Sequence, residues 1–199
     1  MIMKKLFFLL LMLIAVSAVN AQNLTLQQVV QKSLSAMDTK KHCIKGNVSV
    51  KVLGKSGTTY AMADGTNSYW KKSDGSEEGY INNGVKYLYN KKKNTVTITK
   101  EAYSDVFNAD LDISKADFSG CKMELKNGEY IITGKENGAK MTLIIDAKTF
   151  FYKKISAKMA LASMTITYSN MAYSSNKESL IYKASKFPGA KIVDKRKKK

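Results

Sequence analysis

Proline occurs once in 199 residues, histidine once and tryptophan once, and of 33 basic residues only Arg196 is arginine. Each scarcity removes a class of protein. With Pro188 the single proline, strands can run uninterrupted. A Ser-His-Asp or Cys-His nucleophile needs an imidazole base, and the one candidate, His42, adjoins Cys43, where neighbouring strand side chains point to opposite faces. One histidine and two distant cysteines lack the ligand spacing of a zinc site, so no metal is expected. No glycine-rich phosphate loop follows a strand, so no cofactor is expected either. The carboxylates Glu77, Glu78, Asp110 and Asp112 could serve a glycosidase, but they sit in polar stretches without aromatic walls. The expectation is a protein that is not an enzyme. The near absence of arginine also argues against nucleic acid, despite a net charge of +17, because base and phosphate recognition favours the guanidinium fork. A lysine surface does suit an edge-rich β protein that must stay apart from its neighbours.

Long apolar runs are missing after residue 22, and the one before it is short. MIMKKLFFLLLMLIAVSAVNAQ has a positive start at Lys4 and Lys5, an apolar stretch from Leu6 to Val16 and the small-residue site Val19-Asn20-Ala21. This reads as a cleaved signal peptide, residues 1–21, and not as a span, which needs roughly 20 apolar residues. No cysteine follows the stretch to accept a lipid. The mature chain is therefore expected to be soluble and exported, a single domain over 22–193 with a basic disordered tail at 194–199. Outside the cytoplasm an even cysteine count permits a disulfide between Cys43 and Cys121, worth about 4 kcal/mol on the chain-entropy estimate; two buried thiols are the alternative.

What is present is alternation. Thr25 with Gln28 forms a capping box ahead of Leu26, Val29, Val30, Leu34 and Met37, which predicts an amphipathic helix of about 14 residues. From Cys43 the period becomes two, and ten to twelve strands joined by hairpin-length turns predict an antiparallel meander. Around Tyr103, Val106, Phe107 and Leu111 helical spacing returns, which predicts a short helix or ordered loop. Several strands are apolar on both faces: Leu143 and Ile145 alternate with Ile144, and Tyr87 and Tyr89 with Leu88. A sheet with one face in water does not look like that, so both faces need cover.

The order of these elements resembles the LolA family of periplasmic outer-membrane lipoprotein carriers. Carrying the likeness are TTYAMADGTNSYW after the helix, then Asn83-Gly84, Tyr87-Leu88-Tyr89-Asn90 and Thr95-Val96-Thr97. Downstream follow LIIDAKTFFYKKISA with Asp146 and Thr149, ITYSNM, and SLIYKASKFPGAKIVD with Pro188-Gly189. Together they cover nearly the whole mature chain. The resemblance implies a mainly β (α+β) fold, a curved, unclosed antiparallel β-barrel with an N-terminal amphipathic helix and a short helical lid or plug. It implies a non-enzymatic periplasmic carrier of acylated lipoprotein or lipid cargo, working with inner-membrane release and outer-membrane acceptor proteins. Transient contact with a membrane surface and a monomeric state are expected. Candidate cavity and lid residues are Val48, Val50, Val52, Met62, Trp70, Tyr87, Val106, Phe107, Leu111, Leu143, Ile145 and Ile166. Where the family's carriers have an Arg-Pro pair whose arginine holds the lid, this sequence has Asp64-Gly65. A lipid-sensing module and a structural protein binding acidic polysaccharide are the alternative readings.

Overall fold

The computed structural model describes residues 24–103, 107, 116–136 and 138–196. The leader, Val106 and Leu111 lie outside these residues. The helix α1, Leu26–Ala36, is shorter than its periodicity suggests but begins at the expected capping box. Gln28 N–H donates to Thr25 Oγ1 (3.3 Å), and Thr25 N–H to Gln28 Oε1 (2.9 Å). Val29, Val30, Ser33 and Ala36 form its buried stripe.

Twelve strands follow: β1 Ile44–Val52, β2 Lys55–Ala63, β3 Asn67–Lys72, β4 Glu77–Asn82, β5 Val85–Asn90, β6 Thr95–Lys100, β7 Lys122–Lys126, β8 Glu129–Glu136, β9 Ala139–Asp146, β10 Tyr152–Lys158, β11 Ser163–Tyr173 and β12 Lys191–Asp194. They make one sheet in the order β12-β6-β5-β4-β3-β2-β1-β11-β10-β9-β8-β7. Two meanders therefore meet where β1 pairs antiparallel with β11, and the ends never join. One pairing departs from the antiparallel expectation: β12 runs parallel to β6. The reason is the chain's return. After β11 it crosses the outside of the sheet and reaches the β6 edge from the β5–β6 turn end, where Lys191 N–H donates to Asn94 O (2.9 Å). Asp194 ends that strand and is bound by the Arg196 guanidinium (2.6 Å).

Register separates the two faces. Strands β8 to β2 send Tyr130, Ile132, Leu143, Ile145, Tyr152, Ile155, Ile166, Tyr168, Ile44, Val48, Ala61 and Ala63 into one core with α1 and Phe107. Among the described residues, six strands share a core with one helix about 10–12 Å wide, and the sheet curves around it. We call this the inner face. Residues on the opposite face, among them Tyr80, Val96 and Ile98, are buried as well. There the returning segment, with single 3-10 turns at Lys177–Leu180 and Ala184–Lys186, lies over β3 to β6. Tyr182 stacks on Tyr87 (centroids 4.1 Å) and Phe187 on Tyr89 (4.5 Å). Both faces are covered, one by a helix and one by the protein's own C-terminal strap.

An inner-face apolar cleft as candidate functional site

Two rows of facing residues cross the inner face. Ile132, Leu143, Ile155, Ile166 and Val50 stand in register from β8 to β1, and Gly134, Met141, Ala157, Met164 and Val52 form the next row. The first row is buried until it reaches β1. There Val50 is 37% exposed and Val52 in the second row 42%. These are apolar positions without complete cover.

Against the β8–β10 part of these rows lies an apolar cavity of about 70 Å³, walled by Phe118, Cys121, Ile132, Met141, Leu143 and Ile155. Its Ala116–Phe118 wall is shared with a larger cleft of about 640 Å³ between that segment and the helix residues Leu26, Val30 and Leu34. Pockets for small molecules run to about 300–1,000 Å³, so the cleft is of ligand size, although Gln27, Gln31 and Asp117 make its lining as polar as it is apolar. The cavity lining also carries two charged residues, Asp117 and Lys135, and the Cys121 thiol.

Of the residues singled out from sequence, Val48, Val50, Val52, Trp70, Leu143, Ile145 and Ile166 share the inner face. Phe107 is fully buried in its core, and its carbonyl accepts a hydrogen bond from Tyr168 Oη (2.9 Å). Trp70 lies over Gly79, its partner on β4, with Lys86 Nζ 5.6 Å from the ring. Met62 and Tyr87 are not brought to this site. They point outward, Met62 packing with Cys43, Leu180 and Tyr69, and Tyr87 stacking on Tyr182. The cysteines are not bonded to each other: Cys43 belongs to that outer cluster, and Cys121 lines the inner cavity. Burial and the nearby Asp64 carboxylate push the Cys43 thiol pKa up. Sequence reasoning missed Leu34, Phe118, Ile132, Met141 and Ile155. Pairing LIID with its neighbouring strands would have found the last three, which face Leu143 or adjoin those that do.

Asp64 builds a turn. Its Oδ1 accepts from the N–H groups of Thr66 (3.2 Å) and Asn67 (2.9 Å) and from the Thr66 hydroxyl (3.1 Å). Burial would raise its pKa, but these bonds outweigh it and the pKa falls below the ordinary value. Gly65 holds φ +84°, and a Cβ there would meet Lys40 Cα at 2.7 Å, so the hairpin packs directly on the chain leaving α1.

No family model and no curated protein matches this sequence. Solved structures do. An uncharacterized conserved protein from Thermus thermophilus superposes with TM-score 0.51 at 14% identity, over 84% of this chain and 98% of that one. MucB in complex with MucA(peri) superposes with TM-score 0.50 at 12% identity over 80% of this chain, which spans 60% of MucB's length. A LolA superfamily protein from Nitrosomonas europaea aligns with 82% of this chain and 100% of its own at 12% identity and TM-score 0.39. At these identities the likeness concerns the fold alone. An open, curved sheet with a helix on its inner face is the architecture that the sequence resemblance implied. The fold is a curved, unclosed β-barrel.

Proposed function

We propose that this protein is a non-enzymatic carrier that shelters acyl chains of a lipid or lipoprotein within the inner face and moves them across the periplasm toward the outer membrane. The observation that carries the reading is the apolar inner track, which crosses five strands and ends at a cavity whose Ala116–Phe118 wall also borders a larger cleft along α1. The need for such shelter is physical. Each acyl CH₂ left in water costs ~0.8 kcal/mol, so a multi-chain lipid does not cross an aqueous compartment unaided. The leader-like N-terminus supports the periplasmic setting.

Cys121 supplies the test, because it lines the cavity while Cys43 does not. Protein isolated from the periplasm should yield acylated material on organic extraction and mass analysis. After delipidation, saturating lysophosphatidylglycerol should slow alkylation of Cys121 at least about tenfold. Absence of acyl material together with an unaltered Cys121 rate would sink the carrier reading. A sensing role on the same fold would show as cargo that binds but does not pass to acceptor vesicles.

A further inference from the structure

The turns of the sheet fall at two ends, and they differ in character. At one end the β1–β2 turn and the β10–β11 turn sit side by side, since Val52 pairs with Met164, Lys158 pairs with Ser163, and Leu53 N–H reaches Ser163 O at 3.4 Å. Both tips carry bare apolar side chains: Leu161 is 95% exposed, Leu53 68% and Met159 54%. Polar residues suffice for a hairpin tip, and a single exposed leucine needs no account, but three together on adjoining tips form a patch.

Lysine rings that patch. Lys55 closes the β1–β2 turn, Lys158 precedes the β10–β11 turn, and Lys140 and Lys135 stand beside Lys158 in register on β9 and β8. Among the described residues none of these four is in an ion pair. Farther along the same end, Lys71 and Lys72 are paired with Glu78 and Glu77, whereas Lys91, Lys92 and Lys93 of the β5–β6 turn are exposed and make no such pair among the described residues. At the opposite end the carboxylates of Asp64 and Asp146 are taken up by their own turns.

We infer that this end of the sheet is a docking surface for an anionic lipid bilayer, with Leu53, Met159 and Leu161 entering the interface and the lysine ring meeting the headgroups. The combination selects the partner. Apolar tips alone would suit any hydrophobic surface and lysines alone any polyanion, but exposed leucines within a flexible cationic ring match an acyl boundary beneath anionic headgroups. Lysine also makes a better non-specific headgroup contact than a directed one, since it is a point charge on a mobile stem. The inference goes beyond the carrier reading and rests on different residues. It does meet that reading geometrically: the row Met141, Ala157, Met164, Val52 runs from the cavity wall to the β1–β2 tip.

Vesicle sedimentation tests it on the mature chain. Vesicles of phosphatidylcholine with 30 mol% phosphatidylglycerol should bind the protein, and phosphatidylcholine alone should not; raising salt should release it. Leu53→Ser with Leu161→Ser should weaken binding at least about tenfold, and Lys55→Gln with Lys158→Gln roughly fivefold per lysine removed. All four side chains are at the surface, so thermal unfolding should not move. Lys126→Gln with Lys148→Gln, at the other end, should leave binding unchanged. The inference fails if anionic vesicles do not bind, or if the neutral ones bind equally. It also fails if the leucine pair is silent while heparin competes as well as vesicles, which would mark a polyanion or acidic-protein site instead.

Discussion

Trp70 and Gly79 show how one residue depends on the absence of another. A Cβ at Gly79 would fall within the Trp70 ring, so the indole can lie flat across β4 only because residue 79 has no side chain. Gly79→Ala should therefore push Trp70 off the inner face and destabilise the protein by about 1–3 kcal/mol, the usual cost of overpacking. Trp70 is the single tryptophan, so its emission reads the displacement without interference; an unchanged spectrum and midpoint would show that the ring has room elsewhere. Asp64 is a different case. Where the family that the sequence resembles has Arg-Pro, this chain has Asp64, and its Oδ1 is taken up by the turn it starts. The Asp-Gly pair was legible as a turn signal, and the turn is what it makes. What sequence could not give is that Gly65 touches Lys40, a contact between segments 25 residues apart in the chain that only the packing of helix against hairpin creates.

Elements were legible where periodicity and turn chemistry are local. The capping box fixed the start of α1, and strand alternation with Gly and Asn turns fixed the meander, because each is decided by residues within four positions of one another. Face assignment was less accessible. Met62 and Tyr87 look as apolar as Val50 or Trp70, but whether a side chain faces helix or strap depends on register across several strands, and the strap arrives from the far end of the chain. At the element scale, the β2–β3 and β9–β10 turns predict an acid response. Asp146 Oδ1 accepts from the N–H groups of Lys148 (3.1 Å) and Thr149 (2.7 Å), and from the Thr149 hydroxyl (2.9 Å). Burial opposes these bonds without cancelling them, so in the folded state the pKa is lowered, as it is for Asp64. A depressed folded pKa means that the turns contribute their stability above the unfolded value, near 3.9, and lose it as pH falls through the lower folded value. The urea midpoint should thus decline below about pH 4, and Asp146→Asn, which keeps an acceptor but cannot titrate, should flatten the decline. Identical acid profiles for the two proteins would assign the loss to other carboxylates.

At the scale of the molecule, the outer face is closed by a segment that is held by very few backbone bonds, and one side chain does much of the holding. Asn82 Nδ2 donates to Leu180 O (2.8 Å) while its Oδ1 accepts from Tyr182 N–H (2.8 Å), so the amide serves the strap as a neighbouring strand would. Leu180 is thereby seated, fully buried, over Cys43 and Met62. Lys186 Nζ, donating to Tyr80 Oη (3.1 Å), adds a second tie. Asn82→Ala removes the amide and leaves a carbonyl and an N–H short of partners, at a cost of about 1–3 kcal/mol for each group that water does not reach. The strap should then lift before the sheet unfolds, because the inner core of α1 and β8 to β2 does not depend on it. The two thiols allow that order to be seen in one experiment. Cys43 lies beneath Leu180 and Cys121 on the opposite face, so alkylation of Cys43 should accelerate about tenfold or more in Asn82→Ala while Cys121 keeps its rate. Parallel acceleration at both cysteines would mean that strap and inner core open together, as a single cooperative unit.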